Sequence, residues 1–251
     1  MELSLQNKVA VATGGGAGLG QACALAFARA GAHVAICDVN ESTLADTKTK
    51  VEALGVKALA VVCDVSDADS VHRLFQTTEE ELGCIDITLN NAGVAAPLNL
   101  LADTTEADFE RVMSINLKGT WLGMRESLRR MLPRGKGTII NMASAMSKKS
   151  YPGSGFYTTS KFAVAGMTRN TAVEYADQGI RINAICPGNI LTPLLEKSVS
   201  EEVREQLAQA HPMKRLGDVE EIANCAVFLA SDASSFMTGA LLSVDGGWTA
   251  L

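Results

Sequence analysis

Short, largely apolar runs recur along this chain, and longer stretches of helical composition separate them. The first run, Val9-Ala10-Val11-Ala12, is apolar at every position, as a strand is when both faces of its sheet are covered. Comparable runs at His33–Cys37, 57–62, Ile85–Leu89, Thr138–Met142, Arg181–Cys186 and Ala240–Val244 predict further strands. Helices are predicted for an alanine-rich stretch ending at Ala30, for 42–53 and 68–82, and from Asp103 or Thr104 to about Met131. Two more are expected, one carrying Tyr157 and Lys161 to about Tyr175 and one over 218–230. About seven strands alternating with helices predict an α/β fold, a doubly wound parallel sheet with helices on both faces and right-handed crossovers. No linker, repeat or low-complexity tract breaks the alternation, so residues 1–251 read as one domain. Residues 194–213 depart from the pattern in being polar, charged and helix-prone.

Composition narrows the class. With 251 residues and 47% hydrophobic content the chain can bury a large core. A net charge of −6 and the lack of basic runs argue against a nucleic-acid partner. The longest apolar runs fall far short of a membrane span. Met1–Lys8 has no basic region followed by an apolar one, so no signal peptide is expected. The six cysteines, at 23, 37, 63, 84, 186 and 225, lack CxxC spacing and several lie in apolar runs such as Val61-Val62-Cys63. That suits buried thiols in a reducing cytoplasm. His33, His72 and His211 carry no zinc-ligand spacing and read as surface or packing residues; no metal is expected.

The chemistry-bearing residues collect at one end of the predicted strands, where ligands bind in doubly wound sheets. After the first strand comes Thr13-Gly14-Gly15-Gly16-Ala17-Gly18-Leu19-Gly20. Its glycines permit a tight bend and close approach of a diphosphate, and the helix that follows offers free N–H groups to it. The second strand ends in Asp38, 18 residues past Gly20, about where a ribose 2′-hydroxyl needs a carboxylate. The alternative role for Asp38 is a helix cap, which Asn40 or Ser42 can serve instead. Later strands end in Asp64-Val65, Asn90-Asn91-Ala92-Gly93, Ala143-Ser144 and Pro187-Gly188.

Tyr157 and Lys161 lie four apart, on one helix face. A free phenol ionises near pH 10, and lowering that by about two units takes roughly 2.7 kcal/mol. A lysine cation about 5 Å away supplies about 3 kcal/mol at an effective dielectric of about 20, enough for a phenol that gives and takes protons.

Taken in order and at their spacing, these features resemble the short-chain dehydrogenase/reductase family over essentially the whole chain. The matching motifs are Thr13-Gly14-xxx-Gly18-x-Gly20, Asn90-Asn91-Ala92-Gly93, Asn116, Ser144 placed 13 before Tyr157, Tyr157-xxx-Lys161, Pro187-Gly188-xxx-Thr192 and Val244-Asp245-Gly246-Gly247. The resemblance implies a Rossmann-type fold binding NAD. It makes Tyr157 the general acid in ketone reduction or the base in alcohol oxidation. Ser144 would hydrogen-bond the substrate oxygen as hydride moves. Lys161 would bind the nicotinamide ribose and lower the tyrosine pKa, and Asn116 would hold a water linking Lys161 to solvent. Gly14, Ala17, Gly18, Leu19 and Gly20 would face the diphosphate, with Asp38 and Val39 at the adenosine ribose. Asn90, Asn91, Ala92 and Gly93 would pack by that ribose, Asp64 and Val65 by the adenine. Pro187, Gly188, Ile190 and Thr192 would lie by the carboxamide, and 190–213 would cover the substrate. Tyr151, Met146 and Phe156 either wall the substrate pocket or serve ordinary packing.

The expectation is a cytoplasmic, NAD-dependent oxidoreductase acting on a small secondary alcohol, cyclic or polyhydroxylated, or its ketone. The resemblance suggests a homotetramer, with Trp248-Thr249-Ala250-Leu251 reaching a neighbour's site. One alternative is a 3-oxoacyl-acyl-carrier-protein reductase, for which Arg129, Arg130 and Arg134 offer a basic patch. Carrier-linked relatives tend to have an arginine where this chain has Val173, before Glu174. The other alternative is a non-catalytic dinucleotide-binding regulator, disfavoured because a sensor does not need the Asn116, Ser144, Tyr157 and Lys161 set.

Overall fold

The computed structural model describes residues 3–95 and 97–251, with the backbone alone at 194 and 198. Its centre is β1 (Val9–Thr13), all five residues of which are buried. Val9 and Val11 face one side of the sheet and Ala10 and Ala12 the other, so the strand has no polar face to show water. β2 (His33–Asp38), β3 (Ala58–Val62), β4 (Ile87–Asn90), β5 (Gly137–Met142), β6 (Ile180–Pro187) and β9 (Leu241–Val244) complete a seven-stranded sheet. Every pairing is parallel, in the order β3-β2-β1-β4-β5-β6-β9. The order reverses between β1 and β4, which opens a crevice at the carboxyl ends of those strands.

One layer of helices holds α1 (Gly18–Arg29), α2 (Glu41–Glu52) and α9 (Val219–Ala230). It encloses Ala10, Ala12, Phe27, Ile36, Leu44, Leu89 and Ile222. The small side chains of β1 on this side let α1 lie close to the sheet. The opposite layer holds α3 (Ala68–Leu82), α5 (Gly119–Met131) and α6 (Gly155–Tyr175), enclosing Val11, Cys37, Leu74, Phe75, Leu122, Ile139 and Ile182. Among the described residues no helix is long and apolar enough to cross a membrane.

One stretch differs from the sequence reading, and a second, read as helix-prone, is helical with an added strand pair. The helix expected from Asp103 or Thr104 to Met131 is α4 (Glu106–Val112), a π-helical segment at Met113–Lys118, then α5. The Gly119 N–H bonds back to the Ser114 carbonyl, five residues earlier. Such wide turns concentrate at functional positions. The polar stretch after 190 forms α7 (Pro193–Ser198), capped by Thr192, and α8 (Glu201–Gln209), capped by Ser200. Ahead of α7, β7 (Ile190–Leu191) pairs with β8 (Gly217–Asp218), a two-residue ladder too short to announce itself by periodicity.

Candidate active site

The glycine turn between β1 and α1 is built for a close-fitting ligand. Gly14 sits at φ +65, and a Cβ on Gly20 would lie 2.0 Å from the Gly14 carbonyl oxygen. Ala17 caps α1 with no side-chain hydrogen bond, which leaves the first-turn N–H groups open to an anion. Gly18 and Leu19 are half-buried on that turn. The Asp38 carboxylate is fixed at its rim, accepting from Gly16 N at 3.2 Å and from Asn40 N at 3.2 Å. Asn40, not Asp38, caps α2, accepting from Ser42 N and Thr43 N. Capping therefore does not explain the acid at 38. Open helix N–H groups beside a ribose-height carboxylate fit a dinucleotide.

The turns after the neighbouring strands are tied to this one. Thr13 Oγ1 accepts from Asn91 N at 2.9 Å and Ala92 N at 3.0 Å, while Asn91 Nδ2 donates to the Thr13 carbonyl at 2.9 Å. Thr13 entered the sequence reading only as a motif letter; here it fastens β4's turn to β1's. The Asn90 side chain turns into the interior, donating to Asn141 Oδ1 at 2.9 Å, with its own Oδ1 over Gly123. That corrects the expectation that Asn90 packs by the ribose: its side chain braces the sheet against α5. Asp64 is exposed and accepts from Ser66 N and Ser66 Oγ, and Val65 is buried against Gly119. Val39 is exposed beside Asp38.

The proton-handling groups meet at the ends of β5 and α6. Ser144, just past the end of β5, stands by the Tyr157 phenol and accepts from Met146 N at 3.1 Å. Burial raises the phenol above its usual value, and the neighbouring Ser144 opposes that rise. The phenol is therefore protonated at neutral pH, the form a general acid needs. Lys161 is 5% exposed, its Nζ 5.6 Å from the centre of the Tyr157 ring and donating to the Met142 carbonyl at 2.7 Å. The sequence reading had this cation lowering the phenol's pKa. In the structure burial is the leading influence and raises the phenol instead, and burial also lowers Lys161 itself to about 8.

Asn116 is fully buried on the π segment. It clasps the Val94 backbone, accepting from its N–H at 2.8 Å and donating to its carbonyl at 2.9 Å, and it donates to Ser160 Oγ at 3.2 Å. Both amide hydrogens are thus in use, and any water at Asn116 finds acceptors only. Gly93 lies between the two: a Cβ there would be 3.2 Å from Asn116 Oδ1 and 3.7 Å from Lys161 Nζ.

The fourth side is the loop after β6. A Cβ on Gly188 would strike His211 Nε2 at 2.7 Å. His211 is buried, accepts from Asn189 N at 3.1 Å and bonds the Leu207 carbonyl through Nδ1 at 2.8 Å. Read from sequence as surface or packing, it pins the 188–190 backbone; no spacing rule singles it out. Pro187 and Ile190 are buried, and Thr192 reaches the glycine turn, its Cβ 3.8 Å from where a Cβ on Gly18 would stand.

Lys161's lowered pKa has a stability consequence. Burial costs the folded protein about 3 kcal/mol while the lysine is charged in both states. Between about pH 8 and the unfolded value near 10.5, the unfolded chain binds more protons and this cost fades as pH rises. Lys161→Met is expected to be inactive but more stable than the parent at pH 7, the difference shrinking towards pH 10. Urea unfolding of both proteins at four pH values checks this, and a constant gap refutes it.

Comparison with known proteins follows the same lines. The family model described as enoyl-(acyl carrier protein) reductase matches residues 14–249. The chain is 39% identical to 2-(R)-hydroxypropyl-CoM dehydrogenase of Xanthobacter autotrophicus over 98% of this chain and 100% of that one. The crystal structure of levodione reductase superposes with a TM-score of 0.94 at 37% identity, covering 98% of each chain. That of an Agrobacterium tumefaciens protein named a putative 2-deoxy-D-gluconate 3-dehydrogenase, with bound NADP, gives 0.91 at 34%, covering 100% and 99%. Relatives so similar along their full length, together with a phenol, hydroxyl and lysine gathered beside a dinucleotide cradle, make this chain an oxidoreductase of the short-chain dehydrogenase/reductase family, acting on secondary alcohols or ketones.

Proposed function

We propose that the protein is an NAD(H)-dependent enzyme that interconverts a small, free secondary alcohol and its ketone. The observation that carries this is the grouping of Ser144, Tyr157 and buried Lys161, whose Nζ lies 5.6 Å from the centre of the Tyr157 ring, at the same strand ends as the glycine turn and Asp38. In reduction the Tyr157 phenol gives its proton to the carbonyl oxygen, and in oxidation the phenolate takes it back. Ser144 holds that oxygen as charge develops on it. Asn116 keeps the 93–94 backbone in place beside Lys161, which supplies the positive charge behind the phenol. A nicotinamide dinucleotide would supply the hydride chemistry, its diphosphate held at the α1 N-terminus, its adenosine ribose at Asp38 and its nicotinamide end at the 188–192 loop.

The second reading is a carrier-protein-linked reductase, which the description of the matching family model favours. Carrier proteins are acidic and dock on basic surface. The basic patch the sequence offered is spent internally. Arg129 and Arg130 bond Glu126 at 3.1 and 2.6 Å, Arg130 also bonds Glu79 at 3.0 Å, and Arg134 pairs with Asp86. The covering segment is acidic, with Glu196, Glu201, Glu202 and Glu205 against Lys197 and Arg204. Assaying the purified protein with secondary alcohols and NAD, ketones and NADH, and 3-oxoacyl- and enoyl-carrier substrates tests the reading. A carrier substrate ahead by tenfold in kcat/KM sinks it, as does the lack of turnover of any alcohol or ketone.

We further propose a cytoplasmic homotetramer. Trp121 on α5 and Phe162 and Val173 on α6 are large apolar side chains left facing outward, which suits burial against other copies. The free cysteines suit a reducing compartment. Light scattering on the purified protein expects four chains; a monomer rules this out.

A further inference from the structure

We infer that the substrate is uncharged and apolar beyond its reacting carbon, and that Leu98, Leu100, Leu101, Tyr151 and Leu191 select it. This rests on the proposed function and narrows its substrate to an alicyclic or similarly hydrocarbon-like secondary alcohol.

Three segments follow the carboxyl ends of β4, β5 and β6, the strand ends at which the reacting groups also lie. The first, from Val94 to Ala102, has no ionisable residue in its sequence. It presents Leu98, Leu100 and Leu101 with 68%, 67% and 74% of their surface exposed. Three large apolar side chains open to water within four residues are unusual unless something apolar covers them. This segment is docked on the second: Asn99 N donates to the Gly153 carbonyl at 3.2 Å, and a Cβ on Gly153 would touch the Leu98 backbone at 3.3 Å. Tyr151, two residues before that contact, is half exposed.

The second segment does hold two cations, Lys148 and Lys149, but both are directed at β9 and the tail. Lys148 Nζ donates to the Leu241 carbonyl at 2.9 Å and to Ser243 Oγ at 2.7 Å. Lys149 Nζ donates to the Trp248 carbonyl at 2.9 Å and lies 5.3 Å from the centre of the Trp248 ring. The third segment, Gly188 to Leu195, meets its first ionisable residue only at Glu196. Charge outside these walls is mainly acidic, with Asp103, Glu106 and Asp108 beside the first segment and the glutamates of α7 and α8 beyond the third. Arg111 donates to the Ala95 carbonyl at 3.0 Å, which ties this cation to the backbone of the first segment.

A carboxylate or sulfonate entering here would lose water and meet acids instead of a cation. An ammonium group would find acids at the rim but none in the walls. A sugar-like polyol would leave hydroxyls unpaired against leucines, which a pocket built for them avoids. A hydrocarbon ring meets none of these costs and covers the leucines.

The test uses 4-methylcyclohexanol, 4-hydroxycyclohexanecarboxylate, 4-aminocyclohexanol and inositol as substrates with NAD. The methyl compound is expected to lead each of the others by at least about thirtyfold in kcat/KM, mostly through KM, as loss of ground-state binding predicts. A charged compound or the polyol matching it overturns the inference while leaving the proposed function intact. So does turnover of none of the four when other secondary alcohols are oxidised. Absence of turnover with every alcohol tried fails the proposed function itself. Leu98→Arg supplies the residue-level arm: the carboxylate-to-methyl ratio of kcat/KM should rise at least tenfold. Because both substrates are read on one preparation, partial loss of folded protein does not move the ratio, and an unchanged ratio removes the 97–101 segment from the pocket.

Discussion

Tyr157→Phe lowers kcat by at least about 10²–10⁴, the worth of a positioned general acid or base, while dinucleotide affinity stays within a few-fold of the parent. The phenylalanine ring fills the space of the tyrosine ring, so α6 keeps its place. What is lost is a phenol beside Ser144 that burial holds protonated. Ser144 Oγ keeps its bond from Met146 N, so the variant does not strand a buried hydroxyl. Fluorescence titration with NADH separates binding from turnover, and single-turnover kinetics separate chemistry from product release. Turnover within tenfold of the parent would take Tyr157 out of the mechanism. Loss of NADH binding by tenfold or more would mean that the phenol serves the cofactor and not the substrate.

The parts of the molecule that sequence reveals are those fixed by burial and by backbone constraint. A strand covered on both faces has to be largely apolar, so β1, Val34–Cys37 of β2 and Ala184–Pro187 of β6 stand out as runs. A glycine needed because its Cβ would overlap the Gly14 carbonyl oxygen cannot be anything else, so the turn stands out too. What stays hidden depends on side-chain direction. Asn90 and Asn91 are adjacent letters of one motif, yet Asn91 fastens two loops while Asn90 turns inward to Asn141. Helical periodicity does not distinguish a π turn from an α turn over six residues, so the break around Asn116 looked like continuous helix. Charge balance is equally opaque: Arg129, Arg130 and Arg134 form a basic cluster in the sequence, and only three dimensions show Glu79, Glu126 and Asp86 answering them. The effect of Lys161 on Tyr157 was misjudged for a related reason. A pairwise Coulomb estimate includes the attraction and omits the burial of both partners, which here pushes each towards its neutral form.

The unmodified protein is expected to favour NAD over NADP by at least about a hundredfold in kcat/KM, and Asp38→Ser with Ala17→Arg to erase or invert that preference. A 2′-phosphate brings nearly two negative charges to the ribose position. One charge about 5 Å from a carboxylate costs about 3 kcal/mol at an effective dielectric of about 20, and solvent at the rim screens part of it. Asp38 has little freedom to withdraw, because Gly16 N and Asn40 N each hold one of its oxygens at 3.2 Å. Ala17, exposed at the helix start, offers no compensating cation. The fold does not decide the matter, since a relative of 34% identity and the same topology binds NADP. The expected preference is therefore assigned to Asp38 and Ala17. Asp38→Ser removes the repulsion and retains a hydroxyl for the ribose, and Ala17→Arg adds a guanidinium able to grip phosphate with two hydrogen bonds. Steady-state kinetics with both dinucleotides on the parent, each single variant and the double variant should give gains for NADP that add in free energy, unless the two side chains contact each other. Equal efficiency of the parent with both dinucleotides would mean that Asp38 does not face the ribose. A double variant still confined to NAD would place the discrimination elsewhere in the cradle.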